Sequence, residues 1–238
     1  MKGCQKLNYN FDFQGFETLE VQDNKIELPS VSELLSSPMF IRASAEDVYK
    51  HGGEINRKLL NLTPLKNNKK HVVVHSVIQH LSQKVLAVPS SDWHCDGHHQ
   101  PYFSGDIHHI MMNDTSNCYT QFLENSVSCN IESDKDVNQF DFKNFSKLIE
   151  NNSNEFVPKD IETNKMYTFT CRHVHRGQIP KRPEFRFFWK VTESDYHIPL
   201  AYSESRTYVS KVFLGNYGLA VPSIEQNPNS IVIRDYKN

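Results

Sequence analysis

Hydrophobic and polar positions in the first part of the chain follow helical and turn-rich patterns. SVSELLSS, residues 30–37, reads as a short helix capped by Ser30 or Ser32, with Glu33 in its first turn. SAEDVYKHG reads as a second helix. Ser44 precedes Glu46 and Asp47, acids suited to the positive end of a helix, and Gly52 stands where such a helix stops. EINRKLLNL extends it. TLEVQDNKIEL, residues 18–28, reads as two short strands about the turn QDN. Residues 1–65 are therefore expected to form a helical and hairpin outer layer.

From residue 70 the pattern becomes that of strands. KHVVVHSV (70–77), KVLAV (84–88), DWHCD (92–96), IHHIMM (107–112), YTQFLE (119–124) and VSCNI (127–131) follow one another closely. FKNFSKLIENN (142–152) is the one helical insertion among them. MYTFTCRHVH (166–175) and FRFFWKV (185–191) are the most strand-like runs, and TYVSKVFL (207–214) and SIVIRDY (230–236) come last. Short strands at close spacing predict a mainly β sandwich or barrel. No repeat or linker divides the chain, so residues 1–238 are expected to be one domain. Its parts are the outer layer, a β core at 70–195, and a C-terminal extension or lid at 196–238. Gly215 and Gly218 would permit a hinge in that last part.

Composition adds constraints. The 238 residues are enough to bury a core without covalent staples, and 11% aromatics suit pleated surfaces. A formal net charge of −2 gives no electrostatic footprint for nucleic acid. The five cysteines (Cys4, Cys95, Cys118, Cys129 and Cys171) are odd in number and form no CxxC pair. A disulfide framework is therefore poorly supported, and a reducing cytosol is the natural compartment. No run approaches the roughly 20 apolar residues of a membrane helix. A cytoplasmic protein with no membrane partner is expected.

The candidate chemistry starts at DWHCDG. In a strand, residues i and i+2 share a face, so His94 and Asp96 project together. Alone, such a pair is weak evidence in a chain with 12 histidines. With a second histidine it would make a 2-His-1-carboxylate set, which leaves coordination positions open and suits non-haem Fe(II). Residues 166–191 offer the partner. Along MYTFTCRHVH, alternation places Tyr167, Phe169, Cys171, His173 and His175 on one face. The return strand places Arg186 and Phe188 on one face and Phe185, Phe187 and Trp189 on the other. An arginine turned inward among aromatics is costly unless it meets an anion. Pairing with Glu184 is the plainer alternative.

His94-x-Asp96, a distal His175, and Arg186 eleven positions later together resemble the Fe(II)- and 2-oxoglutarate-dependent dioxygenases. The surrounding WHCDG and VHRG…RFFWKV add to the likeness, which covers roughly residues 70–195. The resemblance implies a double-stranded β-helix, a jelly-roll or cupin-like core, with N-terminal and inserted helices. It implies His94, Asp96 and His175 as iron ligands and Arg186 as partner of the distal carboxylate of 2-oxoglutarate. His173 with Arg182 is the other pairing of histidine and arginine that the spacing permits. Tyr119 and Gln121 share a face of the strand expected beside the cosubstrate, Tyr119 as a cosubstrate contact. Trp93, His108, Gln121 and His173 are candidates for the substrate pocket. His108 and His109 point to opposite faces, so at most one of them looks inward.

The implied activity is oxidation of an unactivated C–H bond of a small molecule by O2, with hydroxylation the leading outcome. A carboxylate at Asp96 argues against halogenation, because related halogenases leave that position small so that chloride can bind iron. Three other readings remain. One is a cupin-like metalloprotein or other non-haem metalloenzyme without 2-oxoglutarate. Another is a non-catalytic β-sandwich binding module. The third is a zinc hydrolase, for which no glutamate stands as an obvious base and Glu124 is the one candidate. An inward Arg186 favours the dioxygenase over the first of these, and stoichiometric iron would count against the second.

Overall fold

The computed structural model describes residues 7–81, 92–96, 105–114, 120–133, 146, 147, 149, 151, 156–200, 211–214 and 220–222. The expected strands at 84–88 and 230–236, and the glycines at 215 and 218, lie outside these residues. So does Tyr119.

Among the described residues the protein is mainly β, with few helices, and its strands pair antiparallel except Lys211–Leu214 on His71–Leu81. The chain opens with β1 (Leu7–Phe13), β2 (Glu20–Val21), helix α1 (Val31–Ser36) and β3 (Phe40–Ser44). Helices α2 (Ala45–His51) and α3 (Gly53–Leu62) lead into β4 (His71–Leu81). Then come β5 (Ile107–Asp114), β6 (Gln121–Leu123), β7 (Val127–Ser133), β8 (Pro158–Asp160), β9 (Tyr167–Thr170), β10 (His175–Arg176) and β11 (Glu184–Ser194). Two short strands, β12 (Lys211–Leu214) and β13 (Ala220–Pro222), follow.

The helices form where the sequence places them. Ser30 caps α1 in a reciprocal box: its side chain accepts from the Glu33 backbone N–H while Glu33 accepts from the Ser30 N–H. Ser44 caps α2 by accepting from Asp47 N. Gly52 separates α2 from α3, and a Cβ there would meet the Val48 carbonyl oxygen at 2.4 Å. In the later insertion, residues 146, 147, 149 and 151 are helical.

The hairpin expected at 18–28 does not form. Only β2 is a strand, and it pairs with β9 instead. The chain after it keeps to the same neighbour: Gln22 N donates to Met166 O and Ile26 N to Asn164 O. Its backbone polarity is satisfied without folding back on itself.

One large sheet has the order β13-β12-β4-β11-β5-β9-β2, with β3 also on β4 and β12 the parallel member. A small sheet has the order β10-β6-β8, and the segment 92–96 joins it through a bridge between His94 and His175. The outer face of the large sheet carries Val74, Ile78, Met111, Phe187, Trp189 and Val191. It packs on Leu34, Met39, Phe40, Val48 and Leu59 from the N-terminal layer. The inner face carries Ile110, Met112, Tyr167 and Phe169, which pack on Phe122 of the small sheet. Phe122 and Phe169 meet at 5.2 Å between ring centroids. The large and the β10-β6-β8 sheets thus face each other, with strand parity deciding which side chains line the space between, and β1 pairs with β7 in a third sheet.

His108 and His109 do face opposite ways. His109 lies on the outer side, fully buried, with Nε2 3.0 Å from Glu193 Oε1 and Nδ1 2.8 Å from Thr168 Oγ1. The Glu193 carboxylate also accepts from the backbone N–H groups of Lys66 and Asn67. It therefore ties the loop before β4 to the sheet. Glu193→Ala would strand the buried His109 Nε2 and remove the acceptor of two part-buried backbone donors. We expect it to cost about 2 kcal/mol or more in urea denaturation at pH 7. A loss under about 1 kcal/mol would show that the carboxylate does not hold this loop.

Among the described residues, no helix is long and apolar enough to cross a membrane. Cys95 and Cys171 are buried free thiols.

Candidate metal centre

The 92–96 segment meets β10 through a narrow antiparallel bridge. His94 N donates to His175 O at 2.9 Å, and His175 N donates back to His94 O at 2.8 Å. Directly opposed residues in such a pair carry their side chains on the same face. The two imidazoles accordingly lie 4.5 Å apart between centroids. Asp96, two residues along, adds its carboxylate on that face, and the Trp93 and Cys95 side chains are buried. One ligand atom from each of His94, Asp96 and His175 lies within 4.8 Å of the other two.

The ring orientations are fixed from behind. His94 Nδ1 lies 2.8 Å from the Asp92 carbonyl oxygen, and His175 Nδ1 lies 3.1 Å from that of His173. A carbonyl can only accept, so each Nδ1 carries a proton and Nε2 is the nitrogen each ring has left for a metal. His175 Nε2 points at Asp96, 3.4 Å from Oδ2. Burial, assisted by the neighbouring His175, lowers the His94 pKa to about 4, so its ring is neutral at neutral pH. Burial alone would raise the Asp96 carboxyl, but Lys190 and His175 more than offset this and hold it well below the usual range. A neutral imidazole at His94 and an ionised carboxylate at Asp96 are the protonation states a metal requires of those two ligands. The donor set thus fits a 2-His-1-carboxylate ion.

β11 supplies the opposite wall. Arg186, Phe188, Lys190 and Thr192 alternate onto the inner face, and Arg186 is only 3% exposed. The Arg186 guanidinium lies 5.9 Å from the centre of the Phe188 ring. Lys190 Nζ is ion-paired with Asp96 Oδ2. His108 also faces inward. Its Nδ1 meets Thr192 Oγ1 at 3.0 Å, its ring lies 4.9 Å from that of Phe169, and its buried Nε2 has no hydrogen-bond partner.

Other sequence candidates sit elsewhere. Between β9 and β10 the chain turns at Cys171–Arg172, with His173 N donating to Thr170 O, and crosses from the large sheet to the small one. Strict alternation from Tyr167 to His175 is therefore broken. His173 Nδ1 accepts from Thr170 N, and Nε2 meets Thr18 Oγ1 at 2.9 Å. Both ring nitrogens serve the fold, so His173 is neither an available ligand nor a pocket group. Gln121 is similarly engaged. Its Oε1 accepts from Arg176 Nε and its Nε2 donates to Asp160. Arg176 in turn covers the Trp93 ring at 4.3 Å, which makes Trp93 a buried wall.

Two features were missed in the sequence. Lys190 is four residues from Arg186 and so on the same face, and that parity was the available signal. His75 stands opposite Lys190 in the β4–β11 register, a contact between distant segments that no local pattern reveals. No protein-family model matches the chain, and no curated protein does either.

Proposed function

We propose that the protein is an Fe(II)- and 2-oxoglutarate-dependent dioxygenase that oxidises an unactivated C–H bond of a small molecule, by hydroxylation in the leading case. The observation that carries this is the convergence of His94, Asp96 and His175 with both Nε2 atoms turned inward, facing a strand that carries a buried inward arginine. Strand order supports the double-stranded β-helix. The chain passes from β4 to the 92–96 segment, to β5, to β6 and β8, to β9, to β10 and to β11. It alternates between the sheets as a jelly-roll does.

His94, Asp96 and His175 would hold the iron, and three protein ligands leave room for a chelating keto acid and dioxygen. Iron and 2-oxoglutarate, held there, would supply the oxidation of a substrate C–H bond. Arg186 would take the distal carboxylate, since its planar fork matches a carboxylate and its burial strengthens the pair. Phe122, Phe169 and Phe188 keep the chamber walls apolar, which restricts water. The Asp92 and His173 carbonyls hold the two rings in the ligating tautomer.

The test is an oxygen-free titration of the Fe(II)-loaded protein with 2-oxoglutarate, following the weak visible charge-transfer band of the chelate. We expect a saturable band. In Arg186→Ala the midpoint should move to roughly 30-fold higher 2-oxoglutarate or beyond, equivalent to about 2 kcal/mol. Tight metal binding without any band would leave a metalloprotein that does not use this cosubstrate. Absence of metal binding would remove the enzyme reading altogether.

A further inference from the structure

The metal end of the chamber holds more positive charge than the proposed chemistry uses. Lys190 is ion-paired with Asp96, the carboxylate a metal would claim. It stands opposite His75 in the β4–β11 register. β3 is irregular at this level: Phe40 pairs with Ser76 and Ala43 with Val74, so Ile41 and Arg42 bulge opposite His75. Arg42 takes a left-handed backbone conformation, φ 57°, rare for a side chain of its size. Its Nη2 donates to the Ile198 carbonyl, which seats it beside His197, while its buried Nε has no hydrogen-bond partner. The fully buried His108 adds an unpartnered Nε2 on the same inner face as Lys190. Lys190 thus stands on Asp96 and against His75, which Arg42 and His197 also surround, with Asp106 near His197. Lys190 and Arg42 carry the positive charge, since burial and then the Lys190 charge lower the His75 pKa to about 3 and leave that ring neutral.

Lys190 Nζ and His175 Nε2 both meet Asp96 at Oδ2, so a divalent ion seated between that oxygen and the ring takes the place of the ammonium. A divalent ion on Asp96 takes away the partner of Lys190 and leaves a poorly hydrated ammonium next to a second cation. That arrangement is costly unless an anion enters. The proposed cosubstrate does not supply it. Its distal carboxylate belongs to Arg186, whose Cα is about 13 Å along the strand from that of Lys190, and Lys190 Nζ lies at the opposite end, on Asp96.

We infer that the substrate is itself an acid, carrying a carboxylate or phosphate that Lys190 binds together with Arg42 beside the metal. This rests on the metal centre proposed above. In the metal-free protein Lys190 holds Asp96; metal loading frees it to receive the substrate anion. Metal and anion therefore bind with positive coupling, and coupling of this kind is reciprocal.

The test uses the full chain with Zn(II), which fills the site without turnover, in the parent and in Lys190→Met, Lys190→Arg and Arg42→Gln. Calorimetry should show Zn(II) binding to the parent and binding roughly tenfold tighter to Lys190→Met, where no ammonium competes. Inorganic phosphate is then titrated into the Zn(II)-loaded, 2-oxoglutarate-saturated protein against chloride of equal ionic strength. Saturable binding is expected in the parent and in Lys190→Arg. It should be at least about tenfold weaker in Arg42→Gln and Lys190→Met. Phosphate binding that ignores all three substitutions would mean that phosphate ligates the metal alone, and would overturn the inference. So would absence of phosphate binding to a loaded parent. Failure of the parent to bind Zn(II) would overturn the metal centre as well.

Discussion

His175→Ala should abolish tight metal binding, while His173→Ala should leave it nearly intact. The two histidines are two residues apart, and the sequence alone leaves both as distal ligands. Their surroundings separate them. His175 Nε2 faces Asp96 and nothing from the fold claims it as a structural partner. His173 is bonded at both nitrogens, to Thr170 and to Thr18. Loss of a ligand should exceed the 10- to 100-fold weakening typical when only an outer partner of a ligand is removed, so we expect a loss of about 100-fold or more for His175→Ala. For His173→Ala we expect a different failure. Thermal or urea unfolding should show a loss of about 2 kcal/mol, because a buried ring and its bonds to Thr170 and Thr18 are lost together. Zn(II) titration of both variants, beside their unfolding curves, decides the matter. Equal loss of metal affinity in both would mean that the assignment of roles is wrong.

That contrast also marks what the sequence could and could not reveal. His94 and Asp96 were legible because parity is local: two residues on a strand share a face wherever the strand goes. The inward turn of Arg186 was legible for the same reason, and so was the opposition of His108 and His109. Parity failed between Tyr167 and His175 because it assumes an unbroken strand, and the turn at Cys171–Arg172 carries the chain from one sheet to the other. The helices were read closely because their signals are capping residues, which act within one turn. β1 was missed although LNYNFDF alternates well. Its partner β7 lies more than a hundred residues away, and no local rule joins them.

The gathering of Arg42, His75 and His197 about Lys190 was beyond reach for another reason. A bulge in β3 and the turn after β11 bring them together, and both features depend on tertiary packing. The outer layer thus does more than cover the sheet. Its third strand delivers Arg42 to the edge of the chamber, which links the part of the chain without a recognisable motif to the part that has one.

The metal-free protein should lose stability steeply as the pH falls below 6.5. Burial lowers the pKa of His75 to about 3, and those of His94 and His173 to about 4. In the unfolded chain each should titrate near 6.5. Above that value all three are neutral in both states and contribute no pH dependence. Below it the unfolded chain takes up protons that the folded protein refuses, so acid favours unfolding. The loss continues until the pH reaches the folded-state values near 3 to 4. Each group contributes at most about 1.4 kcal/mol per pH unit, so the three together give a limiting slope of about 4 kcal/mol per unit. Against a typical total stability of about 5–15 kcal/mol, this would unfold the protein in mild acid. Urea denaturation at pH 7, 6 and 5 measures the slope, and His173→Asn should remove about a third of it even if the variant is less stable throughout. A flat profile between pH 7 and 5 would mean that these rings are open to protons in the folded state. Zn(II) should move the acid transition to lower pH, because a bound ion must be expelled before His94 can take a proton.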